Sequence, residues 1–216
     1  MYLSRITLPT GALTPERIIQ LIEKGEYVAH QWLWELFPGQ QQRDFLYRRE
    51  ELPGELRFYV LSHRAPQSDH ALLRAQSQTF APLLTKGQRL RFSLRANPTV
   101  CRAGKRHDLL MNVKHPLPGG PERKAAWPQQ EQAALNWLAQ QGERAGFRLE
   151  TAGVDGYRQQ QVVQQKLRNL IQFSSVDYRG VLEVADPEAF LTRLASGFGK
   201  SRAFGCGLML IKSADD

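Results

Sequence analysis

The sequence predicts an α+β protein made of two rounds of a strand–helix–strand–strand–helix–strand plan. Three observations predict it. A short alternating strand, Tyr2–Leu8, runs into a proline-initiated helix. Phe45–Leu52 and Leu56–His63 then flank Pro53-Gly54 as a hairpin. The same order recurs in the second half, which ends on another proline-initiated helix, a glycine-rich segment and a last strand. The length, 216 residues, suits two units of about 100 residues each.

The elements follow in chain order. Thr14-Pro15-Glu16 supplies a hydroxyl cap, a proline at the first helical position and an acid in the first turn. Ile18, Ile19, Leu21 and Ile22 give that helix its apolar face, and Gly25 interrupts it. Helical pattern resumes over Glu26–Phe37 and stops at Pro38-Gly39. Phe45–Leu52 and Leu56–His63 form the hairpin, and His70–Phe80 reads as a second, weaker helix. Arg89–Ala96 alternates: Leu90, Phe92 and Leu94 point one way, Arg89, Arg91, Ser93 and Arg95 the other.

The second round starts near residue 100. His107–Val113 reads as a strand, Pro116–Pro121 as a loop and Gln129–Glu143 as a helix with Ala133, Ala134, Trp137 and Leu138 on one face. Phe147–Ala152 is a strand. Tyr157–Val163 and Leu170–Val184 make a longer hairpin or a strand with an insertion. Asp186 caps a helix over Pro187–Ala195. Gly197–Gly207 is a glycine-rich loop entering the strand Leu208–Ile211. Two such βαββαβ units make two tandem ferredoxin-like (RRM-like) domains, 1–98 and 99–216, a fold whose open sheet face serves RNA recognition in other proteins.

Composition narrows the partners. Lys plus Arg is 29 against 21 acids, a net charge of +8, and the pI is about 9.8. Acids vanish from three stretches. Between Asp69 and Asp108 the charges are Arg74, Lys86, Arg89, Arg91, Arg95, Arg102, Lys105 and Arg106. Between Asp155 and Asp177 they are Arg158, Lys166 and Arg168, and from Ala189 to Ala214 they are Arg193, Lys200, Arg202 and Lys212. Such segregation is costly unless a counter-charge arrives, and a phosphate backbone is the common one. Solvated basic faces are the plainer alternative. No apolar run approaches the ~20 residues of a membrane span. The N-terminus is too short and polar for a signal peptide. Two cysteines, Cys101 and Cys206, fit a reducing compartment. No CxxC or HxxxH pattern offers a metal site and no cofactor is called for, so the expectation is a cytoplasmic, metal-free protein that seeks anions.

Among five histidines only His30 has a suggestive neighbour: Tyr27 lies three residues earlier, on the same helix face. Imidazole and phenol can form a proton-transfer pair, although ordinary helix residues produce the same spacing. The glycine-rich loop follows a helix and enters a strand, which is the wrong order for a dinucleotide loop. It reads as a flexible connection or as an amide cradle for phosphate helped by Lys200 and Arg202. Clustered carboxylates for two-metal chemistry are missing. A metal-free nuclease needs an internal nucleophile, which RNA has in its 2′-hydroxyl and DNA lacks.

These residues carry a resemblance. MYLSRI, Tyr27-Val28-Ala29-His30 with Trp34–Pro38, Gly87–Phe92, Arg95-Ala96-Asn97-Pro98, Gly104-Lys105-Arg106 and the Gly197–Leu208 loop occur in the family's order across nearly the whole chain. The sequence resembles the CRISPR-associated endoribonuclease of the type I-E Cascade complex, the CasE subfamily. The resemblance implies metal-independent cutting of precursor CRISPR RNA at the base of the repeat hairpin, with Tyr27 and His30 as the active-site pair. His30 would donate or accept a proton while Tyr27 would orient or stabilise the phosphate. It implies CRISPR repeat RNA and other Cascade subunits as partners. It also implies a basic hairpin entering the RNA stem, where Arg158, Lys166 and Arg168 lie. Arg95, Lys105, Arg106, Lys200 and Arg202 complete the set expected to bind RNA. Gln140-Gln141 stand on a helix where relatives often carry basic residues, and Gln31 stands where a basic residue can occur. A non-catalytic RNA-binding module is the alternative, with no role for Tyr27 and His30.

Overall fold

A computed structural model describes residues 1–39, 42–164 and 169–215. Strand β1 (Tyr2–Pro9) buries Ile6 and Leu8. Helix α1 (Pro15–Lys24) starts where the sequence places it, with Thr14 Oγ1 accepting from the Arg17 N–H at 3.5 Å. Its apolar face is not sealed: Ile18, Ile19 and Ile22 are exposed. Gly25, at φ +49°, ends α1 and caps α2 (Glu26–Glu35), a backbone conformation that side chains disfavour. Strands β2 (Phe45–Leu52) and β3 (Glu55–Ser62) form the expected hairpin.

Arg74–Thr79 is not helical. It is strand β4, paired antiparallel to β1 from Tyr2↔Thr79 to Thr7↔Arg74. The segment is polar on both faces and lies at the sheet edge, where β1 supplies the backbone partners that decide its conformation. The first sheet has the order β2-β3-β1-β4.

Strand β5 (Arg89–Ala96) alternates as read, with Leu90, Phe92 and Leu94 buried. It belongs to the second sheet, paired with β9 and β10, so the two sheets part between Thr79 and Arg89 rather than after residue 98. Strands β6 (Thr99–Arg102) and β7 (Lys105–Asp108) make a separate two-stranded hairpin. The expected strand His107–Val113 is mostly helix α3 (Leu109–Lys114), because Asp108 Oδ1 caps it through the Met111 N–H at 2.7 Å.

After the single turn α4 (Pro121–Lys124), α5 (Trp127–Ala145) packs Ala134 and Leu138 into the second core. Strand β8 (Phe147–Gln164) is continuous. Register shifts at Leu149/Thr151 and Val154/Gly156 let it bend where the sequence suggested a break. It pairs along its length with β9 (Asn169–Val184). At the first shift the backbones approach closely: a Cβ on Gly180 would lie 2.0 Å from the Thr151 carbonyl oxygen. Helix α6 (Pro187–Ser196), capped by Asp186, and β10 (Met209–Ser213) complete the second sheet, order β10-β5-β9-β8. Both sheets are antiparallel with the ferredoxin-like order. The first lacks a helix between β3 and β4.

Each half has its own core. Val28, Leu33, Phe45, Tyr47 and Phe58 lie in the first; Phe92, Phe147, Phe190 and Phe198 lie in the second. Leu46 of β2, Leu61 of β3 and Leu208 before β10 form a third cluster that joins the halves.

Candidate functional site

Helix α2 lies against the first core through Val28, Ala29, Trp32 and Leu33, which leaves Tyr27 and His30 half-buried. The His30 ring is walled by aromatics. Trp34 stands 5.6 Å away edge-on, Phe45 at 6.0 Å and Tyr47 at 6.4 Å between ring centroids. His30 Nε2 is buried and has no hydrogen-bond partner among the described residues. Burial, and next the Arg43 guanidinium, push the imidazole down to about 4. It is therefore neutral near pH 7, and its free nitrogen can accept a proton.

Alternate residues of the strand after α2 build the rest. Phe45 and Tyr47 lie two apart and share a face. The buried Tyr47 hydroxyl has two acceptors at 3.1 Å, Glu26 Oε2 and the Ala203 carbonyl. Arg43 Nη1 donates to the next carbonyl upstream, that of Arg202. Both carbonyls belong to the short 3-10 turn Arg202–Phe204 in the glycine-rich loop. So β2 and its approach grip the loop of the second half from beside the helix of the first. Helix α2 packs against this turn and against β8.

Beneath lies a buried ionic group. Glu26 Oε1 is 3.1 Å from Arg49 Nε. Burial raises the Glu26 pKa, opposed mainly by Arg49. The Tyr47 hydroxyl carries one proton, so it donates to Glu26 or to Ala203 at any one time. Burial also raises Tyr47 well above the phenol value, with Glu26 adding to it. Burial pushes the Cys206 thiol up to about 12, which leaves it a protonated packing residue.

The helix that carries Tyr27 and His30 packs against the turn that carries Arg202. Lys200 is exposed, its N–H bonded to the Asn97 carbonyl at 3.3 Å. Arg202 is half-buried, its Nε donating to Gly199 O at 3.3 Å. Amides of Phe198, Lys200, Phe204 and Gly207 are bonded within the protein, which restricts any phosphate cradle to the remaining loop amides. Arg158 is exposed on β8. Lys166 and Arg168 lie outside the described residues. Lys105 and Arg106 are exposed on the β6–β7 hairpin.

Arg95 is committed elsewhere. Its Nε and Nη2 bond Asp177 at 2.8 and 3.0 Å, and its Nη1 donates to Arg49 O at 3.2 Å. It ties the second sheet to the first.

Sequence reasoning missed Arg43, Tyr47 and Glu26. The two-residue spacing Arg43-Phe45-Tyr47 just after the helix was the available signal. Among the described residues no group of three or more His, Cys, Asp or Glu could hold a metal ion. No helix among them is long and apolar enough to cross a membrane.

A family model described as "CRISPR associated protein" matches residues 1–213. Over 136 residues the chain is 33% identical to the CRISPR-associated endoribonuclease Cse3 of Thermus thermophilus, a stretch covering 61% of this chain but only 59% of that protein. Over 189 residues it is 30% identical to the CRISPR system Cascade subunit CasE of Escherichia coli K12, covering 85% of this chain and 89% of that one. The solved structure of Cse3 bound to a 19-nucleotide RNA superposes with a TM-score of 0.75 at 27% identity, covering 98% of this chain and 100% of that one.

Proposed function

The chain belongs to the family of CRISPR-associated proteins, and on that premise we propose that it is a metal-independent endoribonuclease that processes precursor CRISPR RNA. It cuts at the base of the repeat stem-loop, keeps the mature RNA and joins a Cascade complex in the cytoplasm. The relatives named as endoribonuclease and as Cascade subunit support this reading. The observation that carries it is His30: neutral, with a buried Nε2 that has no partner among the described residues, on the helix that packs against the Arg202–Phe204 turn.

The 2′-hydroxyl upstream of the scissile phosphate gives its proton to His30 Nε2. Its oxygen bonds to phosphorus, the bond to O5′ breaks, and the departing oxygen takes a proton from solvent. The products are a 2′,3′-cyclic phosphate and a 5′-hydroxyl end. Tyr27 orients the phosphate. Arg158, Lys166, Arg168, Lys105, Arg106, Lys200 and Arg202 bind the RNA, mainly through shape and phosphates. Arg95 is left out of that set because its donors are spent on Asp177 and Arg49.

A repeat hairpin incubated with the protein in excess EDTA is expected to be cut at one position. Tight binding without any cut would support the RNA-binding module instead, in which His30 has no role. Binding is also expected to weaken with salt, log Kd rising linearly against log salt with a slope of about +0.7 to +0.9 per neutralised phosphate. A flat plot across the salt series would mean that the basic stretches do not meet the backbone.

A further inference from the structure

We propose that Arg43 is a further catalytic residue, the cation that meets the non-bridging oxygens of the scissile phosphate beside His30; this deepens the assignment of phosphodiester cleavage to Tyr27 and His30 and rests on it. Attack by the 2′-oxygen gathers negative charge on the phosphoryl oxygens, and a fixed cation aimed at them is the usual means of stabilising it. Helix α2 has none to offer, since its charged residues are Glu26 and Glu35.

Arg43 can supply it from the next segment. Two-residue spacing puts its side chain on the side of Phe45 and Tyr47, the two rings that wall His30. It is half-buried, and one of its five N–H donors is spent on the Arg202 carbonyl. The remaining donors have no partner among the described residues. Arg43 therefore stands between the imidazole and the glycine-rich loop, where the phosphate of the proposed reaction has to sit.

Its surroundings call for an anion. Burial lowers the Arg43 pKa, Tyr47 opposes this and the like-charged Arg202 adds to it. Two guanidinium groups held near one another repel, and a phosphate relieves that repulsion through paired, charge-assisted hydrogen bonds. The groups facing His30 are Trp34 from its own helix, Phe45 and Tyr47 from β2, and Arg43. Only Arg43 among them is charged at neutral pH, and its field acts with burial to keep the imidazole unprotonated.

The test uses the full chain with Arg43→Gln and Arg43→Lys. Three readouts are taken: single-turnover cleavage at saturating protein, affinity for a hairpin with deoxyribose at the cut, and an NMR titration of His30 in the free protein. Arg43→Gln is expected to slow cleavage by about 10²–10³-fold, as removal of an oxyanion donor does elsewhere, with affinity changed only a few fold. Its His30 midpoint should rise from about 4. Arg43→Lys should keep a low midpoint and recover part of the rate. If Arg43→Gln does not fold, the lysine variant carries the test, because a point charge lacks the paired donors and should cut more slowly than wild type with that midpoint kept.

Wild-type cleavage in either folded variant would overturn the proposal and leave the nuclease reading intact. Slow cleavage with lost affinity and an unmoved midpoint in Arg43→Gln would reduce Arg43 to a prop for the loop. A wild-type protein that does not cut RNA would overturn both.

Discussion

His30→Ala is expected to lose cleavage by at least the ~10²–10⁴-fold that a placed acid–base group contributes, while RNA affinity stays within a few fold. The reason is local. His30 is the only titratable side chain on α2 with a buried, unpartnered nitrogen, and its neighbours are aromatic walls that remain in the variant. Cleavage by His30→Ala at the wild-type rate would remove the imidazole from the mechanism.

The pH profile of the wild type adds an independent check. A base neutral down to about 4 predicts a kcat/KM that holds from pH 8 to pH 5.5 and falls only on further acidification, because that ratio reports the free enzyme. A rate that climbs as pH drops from 7 to 5 would make His30 the proton donor instead. Stability carries the matching sign. The native imidazole titrates below its ordinary value of 6.5, so the unfolded chain binds more protons between about 4 and 6.5. His30 therefore costs stability as pH falls through that window. Urea midpoints should drop less on acidification in His30→Ala than in wild type.

The second large effect lies in the substrate. A repeat hairpin with deoxyribose just upstream of the scissile phosphate is expected to bind normally and resist cutting completely, because the attacking oxygen is gone. The end-group analysis of uncut and cut RNA should agree: a cyclic or 3′-phosphate on one fragment and a free 5′-hydroxyl on the other. Cutting of the deoxy substrate, or a 3′-hydroxyl end, would require an external water as nucleophile and would overturn the role given to His30.

How far the site was legible varies with the distance over which its parts are specified. Tyr27 and His30 are set by helical spacing within one turn, so their shared face could be read directly. The cap of Thr14 and the alternation of Leu90, Phe92 and Leu94 are equally local. Arg74–Thr79 was misread because its polar pattern carries no period, and pairing with β1 rather than propensity fixed it as a strand. The Asp108 cap was hidden inside an apolar run that resembled a strand. Arg95 shows the limit for charge. Its place in an acid-free stretch suggested an RNA contact, yet Asp177, far along the chain, occupies its guanidinium. A deficit of nearby acids in sequence says little about acids nearby in space.

By itself the sequence determined the proline-capped helix starts, the hairpin around Pro53-Gly54, the basic surplus and the histidine–tyrosine helix, since these rest on spacing, capping and composition that act over a few residues. Only the tertiary structure decided that β5 joins the second sheet and that Tyr47 and Arg43 reach across to the carbonyls of Ala203 and Arg202. It alone also set the low proton affinity of His30. Strand pairing, cross-domain hydrogen bonds and desolvation depend on which distant groups share one place, and no local pattern encodes that.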